Sequence, residues 1–323
     1  MNTVSTESIF DSINQASRWL ETKIIGQDQL IERLMMALLC GGHLLVEGAP
    51  GLAKTRAIKE LAKVIEGDFH RIQFTPDLLP SDITGTEIFR PEDGSFKFQE
   101  GPIFHNLILA DEINRAPAKV QSALLEAMGE HQVSVGRDTF PLADLFMVMA
   151  TQNPIEQEGT YPLPEAQLDR FLMHIVVGYP DAQAERRILD LVRNETGTTA
   201  VEPKPPQVTQ QQIFAARQAL LKLHMSDAVE RYIVALVMAT RTPSEEQARW
   251  IEFGASPRAT IALDICSRAL AWLNGRDFVT PEDIQSVAHD ILRHRLILSF
   301  EADAQGVSAD QVIDTLINEV PVP

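Results

Sequence analysis

The chain has 323 residues, of which 45% are hydrophobic and 23% charged, a composition that excludes a disordered or collagen-like chain. At roughly 150 residues per domain, this length predicts two domains. The formal net charge is −17, and neither half of the chain is basic. Because proteins that bind nucleic acids need a positive surface, the composition argues against a nucleic-acid partner.

We expect neither a signal peptide nor a membrane span from the sequence. It begins with MNTVSTESIF, which has neither a basic segment nor an apolar run of the kind found in signal peptides. The longest apolar stretch, residues 34–42, is shorter than the roughly 18 residues that a membrane span needs. Two cysteines far apart in the sequence are typical of buried thiols in a reducing compartment. We therefore predict a cytoplasmic protein without membrane insertion.

The first 180 residues alternate between helical and strand-like patterns. Apolar residues at 9, 13, 16 and 20 predict a first helix, and a second follows Gly26-Gln27-Asp28 and ends at Gly41-Gly42. Further helices are predicted near 55–65 and 117–129. The intervening apolar runs that predict strands are 43–47, 69–74, 106–110, 144–150 and 172–177. Continuous apolar strands that alternate with helices favour an α/β fold with a parallel five-stranded sheet covered on both faces.

Two segments interrupt this alternation and are typical of β-hairpins. One is 88–98, with Pro91-Glu92-Asp93-Gly94 at its turn, and the other is 132–142, which turns at Gly136-Arg137-Asp138. The first contains Phe89, Phe96 and Phe98. These rings either face a pore or a client protein, or pack the hairpin onto its own domain.

The remainder of the chain predicts a smaller helical domain. A helical stretch after Tyr179-Pro180 leads into a proline-rich linker, and no strand-like run follows residue 207. We therefore expect an N-terminal helix over 1–24, an α/β domain over 25–180 with inserts near 85–101 and 131–142, a connection over 181–206, and a helical domain over 207–323.

A glycine-rich loop, GAPGLAKT, directly follows the first predicted strand. Gly48 and Gly51 allow backbone N–H groups to surround a phosphate, Lys54 supplies a cation for the β- and γ-phosphates, and Thr55 supplies a hydroxyl for Mg²⁺. The loop departs from the usual pattern at Ala53, where glycine is expected. We expect the methyl group of Ala53 to fit only if that residue has a negative φ. The alternative is a glycine-rich turn that happens to precede Lys-Thr.

Acidic and amide side chains follow two later strands. Asp111 and Glu112 come after LILA, where one carboxylate can hold Mg²⁺ and the other can polarise the attacking water. An acidic pair in this place is otherwise a helix cap. Asn153, in ATQNP, can hydrogen-bond both a γ-phosphate and the water, or simply form an Asn-Pro turn.

Two arginines are candidates for stabilising the charge that develops during phosphoryl transfer. Arg170 lies in LDRF, just before the fifth strand, and Arg258 lies in GASPR, at the start of a helix in the second domain. A single arginine is ordinarily a solvated surface residue, so both assignments depend on the surrounding motifs.

Taken in order, GAPGLAKT, LILADE, ATQN, LDRF and GASPR resemble an AAA+ ATPase, and several longer stretches resemble its MoxR branch. These stretches are FTPDLLPSDITG, which starts at Phe74, DEINRAP, which starts at Asp111, and EQEGTYPLPEAQLDRF, which starts at Glu156. The resemblance covers most of residues 25–300. A phosphate loop with alanine before the lysine is familiar in that branch, so Ala53 says little against activity.

The resemblance implies a role for each of these residues. Lys54 and Thr55 correspond to the Walker A lysine and Mg²⁺ ligand, and Asp111 and Glu112 to the Walker B pair. Asn153 corresponds to sensor 1, Arg170 to an arginine finger offered to the neighbouring subunit, and Arg258 to sensor 2. The residues that it implies around the nucleotide are Ile25, Gly26 and Gln27 at the adenine, and Gly48, Ala49, Pro50, Gly51, Leu52, Ala53, Lys54, Thr55 and Arg56 in the phosphate loop.

The resemblance further implies an ATP- and Mg²⁺-dependent chaperone that works as a ring, commonly of six subunits, because an arginine finger acts in trans. It implies a partner with a von Willebrand factor A-type domain and a client complex to be assembled or loaded with metal. The two hairpins correspond to the helix-2 insert and the pre-sensor-1 insert. Two alternatives stay open: a nucleic-acid-remodelling motor, which the net charge disfavours, and an ATP-bound scaffold that does not hydrolyse ATP.

Overall fold

The computed structural model describes residues 6–92, 94–155, 159–197, 203–245 and 247–323. Its contacts divide the chain into two units. The first unit comprises Met1–Leu163 and Ile175–Phe214, and the second comprises Pro164–His174 and Ala215–Pro323. Each unit has its own core.

The helices and strands are numbered in chain order. The strands are β1 (Leu44–Gly48), β2 (Phe69–Gln73), β3 (Gly85–Arg90), β4 (Ser95–Glu100), β5 (Leu107–Asp111), β6 (Gln132–Val135), β7 (Asp138–Pro141), β8 (Met147–Gln152), β9 (Met173–Val177), β10 (Ile251–Phe253) and β11 (Ile297–Leu298). The helices are α1 (Thr6–Lys23), α2 (Asp28–Cys40), α3 (Lys54–Val64), α4 (Pro80–Thr84), α5 (Ala118–Glu130), α6 (Glu165–Leu168), α7 (Ala182–Gly197), α8 (Gln210–Leu220), α9 (Asp227–Arg241), α10 (Pro257–Leu273), α11 (Pro281–Leu292), α12 (Phe300–Gln305) and α13 (Ala309–Glu319).

The central sheet has the strand order β2-β5-β8-β1-β9. β5 pairs in parallel with both β2 and β8, and β8 pairs in parallel with β1. All five residues of β5 are buried, as expected for a strand covered on both faces. The prediction of a parallel five-stranded α/β sheet is confirmed.

The helices that precede the sheet follow the periodicity of the sequence. In α1, the apolar positions Ile9, Ile13, Ala16 and Leu20 are all buried. The helix α2 ends as predicted, because Gly41 adopts a left-handed conformation (φ 68°) and its N–H bonds to the Ala37 carbonyl.

Both predicted hairpins are present, as the pairs β3–β4 and β6–β7. The phenylalanines of the first hairpin lie in two different surroundings. Phe98 stacks on Phe140 of the second hairpin, with ring centroids 4.0 Å apart, and therefore packs the hairpin onto its own unit. Phe89 and Phe96 face each other across the strands at 5.2 Å and stay 52% and 66% exposed. The turn residue Asp93 lies outside the described residues.

The second unit is mainly helical, but it contains a short antiparallel ribbon in which β10 pairs with β11. The prediction that no strand follows residue 207 is therefore wrong. These strands have three and two residues, too few to produce an alternating pattern in the sequence. Their pairing joins segments that lie far apart along the chain.

None of the helices in the described part of the chain is both long enough and apolar enough to cross a bilayer.

A buried histidine lies in the core of the second unit. The His294 ring is 8% exposed, and its Nε2 lies 3.1 Å from the Phe171 carbonyl oxygen. Burial holds the pKa of His294 well below its usual value, and the neighbouring cation Arg295 and the imidazole of His174 lower it further. His294 is therefore neutral in the folded protein at neutral pH.

This histidine should make the second unit sensitive to acid. Below about pH 6.5 the unfolded chain takes up a proton at His294 that the folded chain does not, so the free energy of unfolding falls as the pH falls, by up to about 1.4 kcal/mol per pH unit. We expect His294→Gln, which keeps a donor but cannot titrate, to show a shallower loss of stability between pH 6.5 and 5 in denaturant titrations. Equal slopes for the two proteins would contradict this prediction.

Candidate functional site

A cleft of about 360 Å³ lies at the edge of the central sheet where β1, β5 and β8 end. Parallel strands bring their carboxyl ends to the same edge, which is where ligands bind in open α/β sheets. The residues that line the cleft are Pro50, Gly51, Leu52, Ala53, Lys54, Thr55, Arg56, Asp111, Glu112, Thr151, Gln152 and Asn153.

The loop between β1 and α3 depends on two glycines for different reasons. At Gly48, a side chain would meet the Val177 carbonyl oxygen at 2.8 Å, so glycine is needed for the close approach to β9. At Gly51, φ is +84° and no atom lies within 4 Å of the position a Cβ would take, so glycine is needed for the backbone conformation. The loop can thus turn its backbone amides inward, as phosphate-binding loops do.

The backbone at Ala53 corrects one expectation. We expected a negative φ at this position, but Ala53 is left-handed, with φ 58° and ψ 10°. The loop therefore has the backbone that a glycine would adopt here, and the methyl group is accommodated in it. A non-glycine residue in this conformation carries a local strain of roughly 1–3 kcal/mol.

Lys54, the first residue of α3, reaches back over the loop. Its Nζ donates to the carbonyl oxygen of Gly48 and, at 3.3 Å, to that of Gln152. Burial lowers the pKa of Lys54, while the carboxylates of Asp111 and Glu112 oppose that shift. The ammonium group thus stands at the junction of β1 and β8, within the cleft wall.

Asp111 ends β5 and is 8% exposed. One carboxylate oxygen, Oδ1, accepts a hydrogen bond of 2.6 Å from Thr151 Oγ1 on β8. The other, Oδ2, accepts from Arg71 on β2, at 3.0 Å from Nε and 2.6 Å from Nη2. The residues on both neighbouring strands therefore fix the orientation of this carboxylate.

Glu112 has a left-handed backbone (φ 57°, ψ 51°), which is uncommon for a residue with a side chain and is found disproportionately at functional sites. Its N–H donates to Thr151 Oγ1 at 2.9 Å. Its Oε2 accepts from Gln73 Nε2 at 3.1 Å and is paired with Arg115 Nε at 3.0 Å. The Glu112 carboxylate is thus held at the mouth of the cleft by two donors.

Sequence reasoning missed Thr151, Arg71 and Gln73. Thr151 is 1% exposed, and its hydroxyl serves both Asp111 and Glu112 at once. The available signal was a polar residue at the carboxyl end of a buried strand in ATQN. Arg71 and Gln73 alternate with apolar residues on β2, and their pattern alone indicates only an edge strand.

Asn153 follows β8 and is 6% exposed. Its Oδ1 accepts from the N–H of Ile155 at 3.1 Å, which forms the turn that was one of the two alternatives for this residue. Its Nδ2 is buried and has no hydrogen-bond partner among the described residues. A buried amide donor in the wall of a polar cleft fits a ligand with oxygen acceptors.

The other residues implied at the nucleotide lie in different surroundings. Arg56 lines the cleft and forms an ion pair with Glu195 of α7. Ile25, Gly26 and Gln27 do not line it. They lie against the segment that follows β9, where Gln27 Nε2 donates to the Gly178 carbonyl at 3.1 Å and a side chain on Gly26 would meet Ala184 at 2.8 Å.

Arg170 and Arg258 belong to the second unit. Arg170 follows α6, is half-buried, and donates its N–H to the Gln167 carbonyl at 3.2 Å. Arg258 is the second residue of α10, and its side chain is 52% exposed. Residues 156–158, within one of the stretches that carry the resemblance, lie outside the described residues.

The groups around the cleft fit a nucleotide with a divalent cation. The loop amides, Lys54 and the unpaired Asn153 amide are suited to phosphate oxygens. The Thr55 hydroxyl and the Asp111 carboxylate are oxygen donors of the kind that Mg²⁺ prefers, and this ion usually binds through one or two carboxylates together with phosphates and water. Over the described ranges, no group of three or more His, Cys, Asp or Glu side chains is arranged to hold a metal ion.

Comparison with known proteins defines the class first. The pattern of the "ATPase family associated with various cellular activities (AAA)" matches residues 43–173, and that of the AAA lid domain matches residues 244–316. A crystal structure assigned as an ATPase, from Cytophaga hutchinsonii, has 47% sequence identity and a TM-score of 0.90. That likeness covers 98% of this chain and 97% of the other. The protein therefore has the fold of an AAA-type ATPase together with an AAA lid domain.

The particular branch follows from two relatives. Chaperone MoxR1 of Mycobacterium tuberculosis is 48% identical over 93% of this chain and 79% of its own length. Protein MoxR of Paracoccus denitrificans is 33% identical over 93% of both chains. The chain belongs to the MoxR family of AAA+ ATPases, which confirms the resemblance found in the sequence.

The hydroxyl of Thr151 gives a test of the cleft's architecture. We expect Thr151→Val, which keeps the shape but leaves a buried Asp111 oxygen without its donor, to cost about 1–3 kcal/mol and to lower the Tm by several degrees. Thr151→Ser keeps the hydroxyl and should lie closer to the wild type. A matched control is Thr139→Val on the exposed second hairpin, which should have little effect. Equal melting temperatures for Thr151→Val and wild type would contradict the bridging role.

Proposed function

We propose that this protein binds ATP with Mg²⁺ and hydrolyses it, and that the cycle drives remodelling of a partner protein complex. The observation that carries the proposal is the convergence of Lys54, Asp111, Glu112 and Asn153 on one cleft next to a phosphate-type loop. Membership of a family of ATPases supports the same conclusion.

The proposed roles follow from the chemistry of each group. The loop residues and Lys54 bind the phosphates, and Thr55 with Asp111 would hold Mg²⁺, which when bound neutralises charge on the β- and γ-phosphates. Glu112 orients and polarises the attacking water. Asn153 directs its unpaired amide to the γ-phosphate without adding charge. Residues 25–27 stand beside the segment after β9 and are proposed to contact the adenine.

Two further cations complete the proposed site. Arg170 serves as an arginine finger for the neighbouring protomer, and Arg258 senses the nucleotide. Phosphoryl transfer gains most from cations that meet the developing charge. A finger supplied in trans requires a closed assembly, so we propose a ring, with six subunits as the expected number, as the active form.

The proposed work of the ring is chaperone-like. The relatives named chaperone and MoxR support this class, and a protein with a von Willebrand factor A-type domain is the proposed partner. The net charge of −17 disfavours the alternative of a nucleic-acid motor. Because Lys54, Asp111 and Glu112 supply the side chains that hydrolysis needs, a scaffold that binds ATP without turnover is disfavoured. We place the protein in the cytoplasm.

Removal of the phosphate-facing cation should abolish binding. We expect Lys54→Ala to lose nucleotide binding, because no other ammonium group lines the cleft among the described residues. Titration with a fluorescent ATP analogue measures this. The matched control is Lys59→Ala on the same helix, whose side chain is exposed and does not line the cleft, and it should leave binding unchanged. Wild-type affinity in Lys54→Ala would rule out the proposed phosphate site.

Removal of the trans arginine should separate binding from turnover. We expect Arg170→Ala to bind ATP normally and to lose turnover by about 10³-fold or more. Mixing it with Glu112→Gln subunits, which keep Arg170, should restore part of the activity. The control mixes Arg170→Ala with the double variant Glu112→Gln/Arg170→Ala, which should restore none. Normal hydrolysis by Arg170→Ala alone would show the assignment to be wrong.

A further inference from the structure

A single carboxylate joins two separate segments of the second unit. Asp169 follows α6 and immediately precedes Arg170. Its two oxygens accept hydrogen bonds from Ser256 Oγ at 3.1 and 2.9 Å, and Oδ1 also accepts from Arg295 Nε at 2.8 Å. The Asp169 side chain is 21% exposed, so these hydrogen bonds rather than water satisfy most of its carboxylate oxygens.

Arg295 fixes the backbone on either side of Arg170. Its side chain is 3% exposed. Nη2 donates to the carbonyls of Phe171 at 2.6 Å and of Asp169 at 3.4 Å. Nη1 donates to those of Leu172 at 3.2 Å and Ile291 at 2.5 Å. Burial lowers the pKa of the Arg295 guanidinium and the Asp169 carboxylate opposes that shift. A buried guanidinium of this kind needs a counter-charge, and Asp169 supplies it.

Ser256 passes the contact on to the helix that carries Arg258. Ser256 is the N-cap of α10, and its Oγ accepts from the N–H of Arg258 at 3.2 Å while it donates to Asp169. The guanidinium of Arg258 lies beside the same residue, with Nη1 4.0 Å from Asp169 Oδ2 and 3.5 Å from the Asp169 carbonyl oxygen. Two residues therefore connect the start of α10 to Asp169: Ser256 through its hydroxyl and Arg258 through its guanidinium.

We propose that Asp169 is a positioning residue that holds Arg170 and Arg258 in a fixed relation, so that the two cations move as one unit when the ring turns over ATP. The proposal rests on the proposed function, which gives these arginines their roles. The backbone at Arg170 and the start of α10 at Arg258 cannot move apart without breaking the hydrogen bonds of Asp169 with Arg295 and Ser256. Since small displacements of catalytic groups are costly, a loosened pair should reduce the rate far more than it reduces ATP binding.

Asp169→Asn tests this proposal, because it keeps the size of the side chain but removes the charge that faces Arg295. We expect ATP affinity, measured with a fluorescent analogue, to stay within about threefold, and kcat to fall by about 10- to 100-fold. Mixing with Glu112→Gln subunits, which present an intact Arg170, should restore part of the lost kcat at the Asp169→Asn sites. The double variant Glu112→Gln/Asp169→Asn should not restore it.

Matched variants separate positioning from general damage to the second unit. Asp283→Asn removes a buried carboxylate that pairs with Arg276 and caps α11, and it should lower the Tm while it leaves kcat unchanged. Should Asp169→Asn fail to fold, Ser256→Ala breaks the same connection at the start of α10 and should lower kcat in the same direction. Ser226→Ala, at the N-cap of α9, is its control.

The outcomes distinguish this proposal from the one before it. If Arg170→Ala loses turnover but Asp169→Asn and Ser256→Ala retain it, the positioning role is wrong and the proposed function stands. If Asp169→Asn loses turnover but mixing restores none of it, the defect does not lie in the position of Arg170, and the proposal is again overturned. If Arg170→Ala itself hydrolyses ATP normally, the proposed trans role is wrong, and the positioning role of Asp169, which rests on it, is wrong as well.

Discussion

The register of three parallel strands is the constraint on which the site depends. Glu47 on β1 lies opposite Gln152 on β8, and Ala110 on β5 lies opposite Ala150 on β8. Because the strands run in the same direction, the segments that follow them emerge side by side. A shift of one residue in either pairing would turn Asp111 or Thr151 away from the cleft. The chemistry of the loop therefore depends on the packing of the three buried strands β1, β5 and β8.

The sequence was sufficient to predict the five strands of the sheet, the first helices and the polar residues that follow the strands. Continuous apolar runs predicted the five strands, and helical periodicity predicted α1 and α2, because both signals are local. It was not sufficient for the bonds between those groups. The contacts of Thr151 with Asp111 and of Arg71 with Asp111 depend on which strands become neighbours, and that order does not follow the order of the chain.

Backbone conformation was the other property that local pattern did not settle. An alanine is ordinarily read as a residue with negative φ, yet the turn between β1 and α3 sets Ala53 in the left-handed region. The short ribbon of β10 and β11 escaped prediction for a related reason, since pairing between distant segments defines those strands. In both cases the surroundings override a preference that a single residue carries.

The first hairpin shows how one element can be held at one end and left open at the other. Phe98 is fixed by the second hairpin, whereas Phe89 and Phe96 are supported mainly by each other. A replacement at the outer pair would leave the packing of Phe98 intact. Substitutions in the distal part of this hairpin should therefore change the stability of the fold little, whereas few other side chains can replace Phe98 at its base.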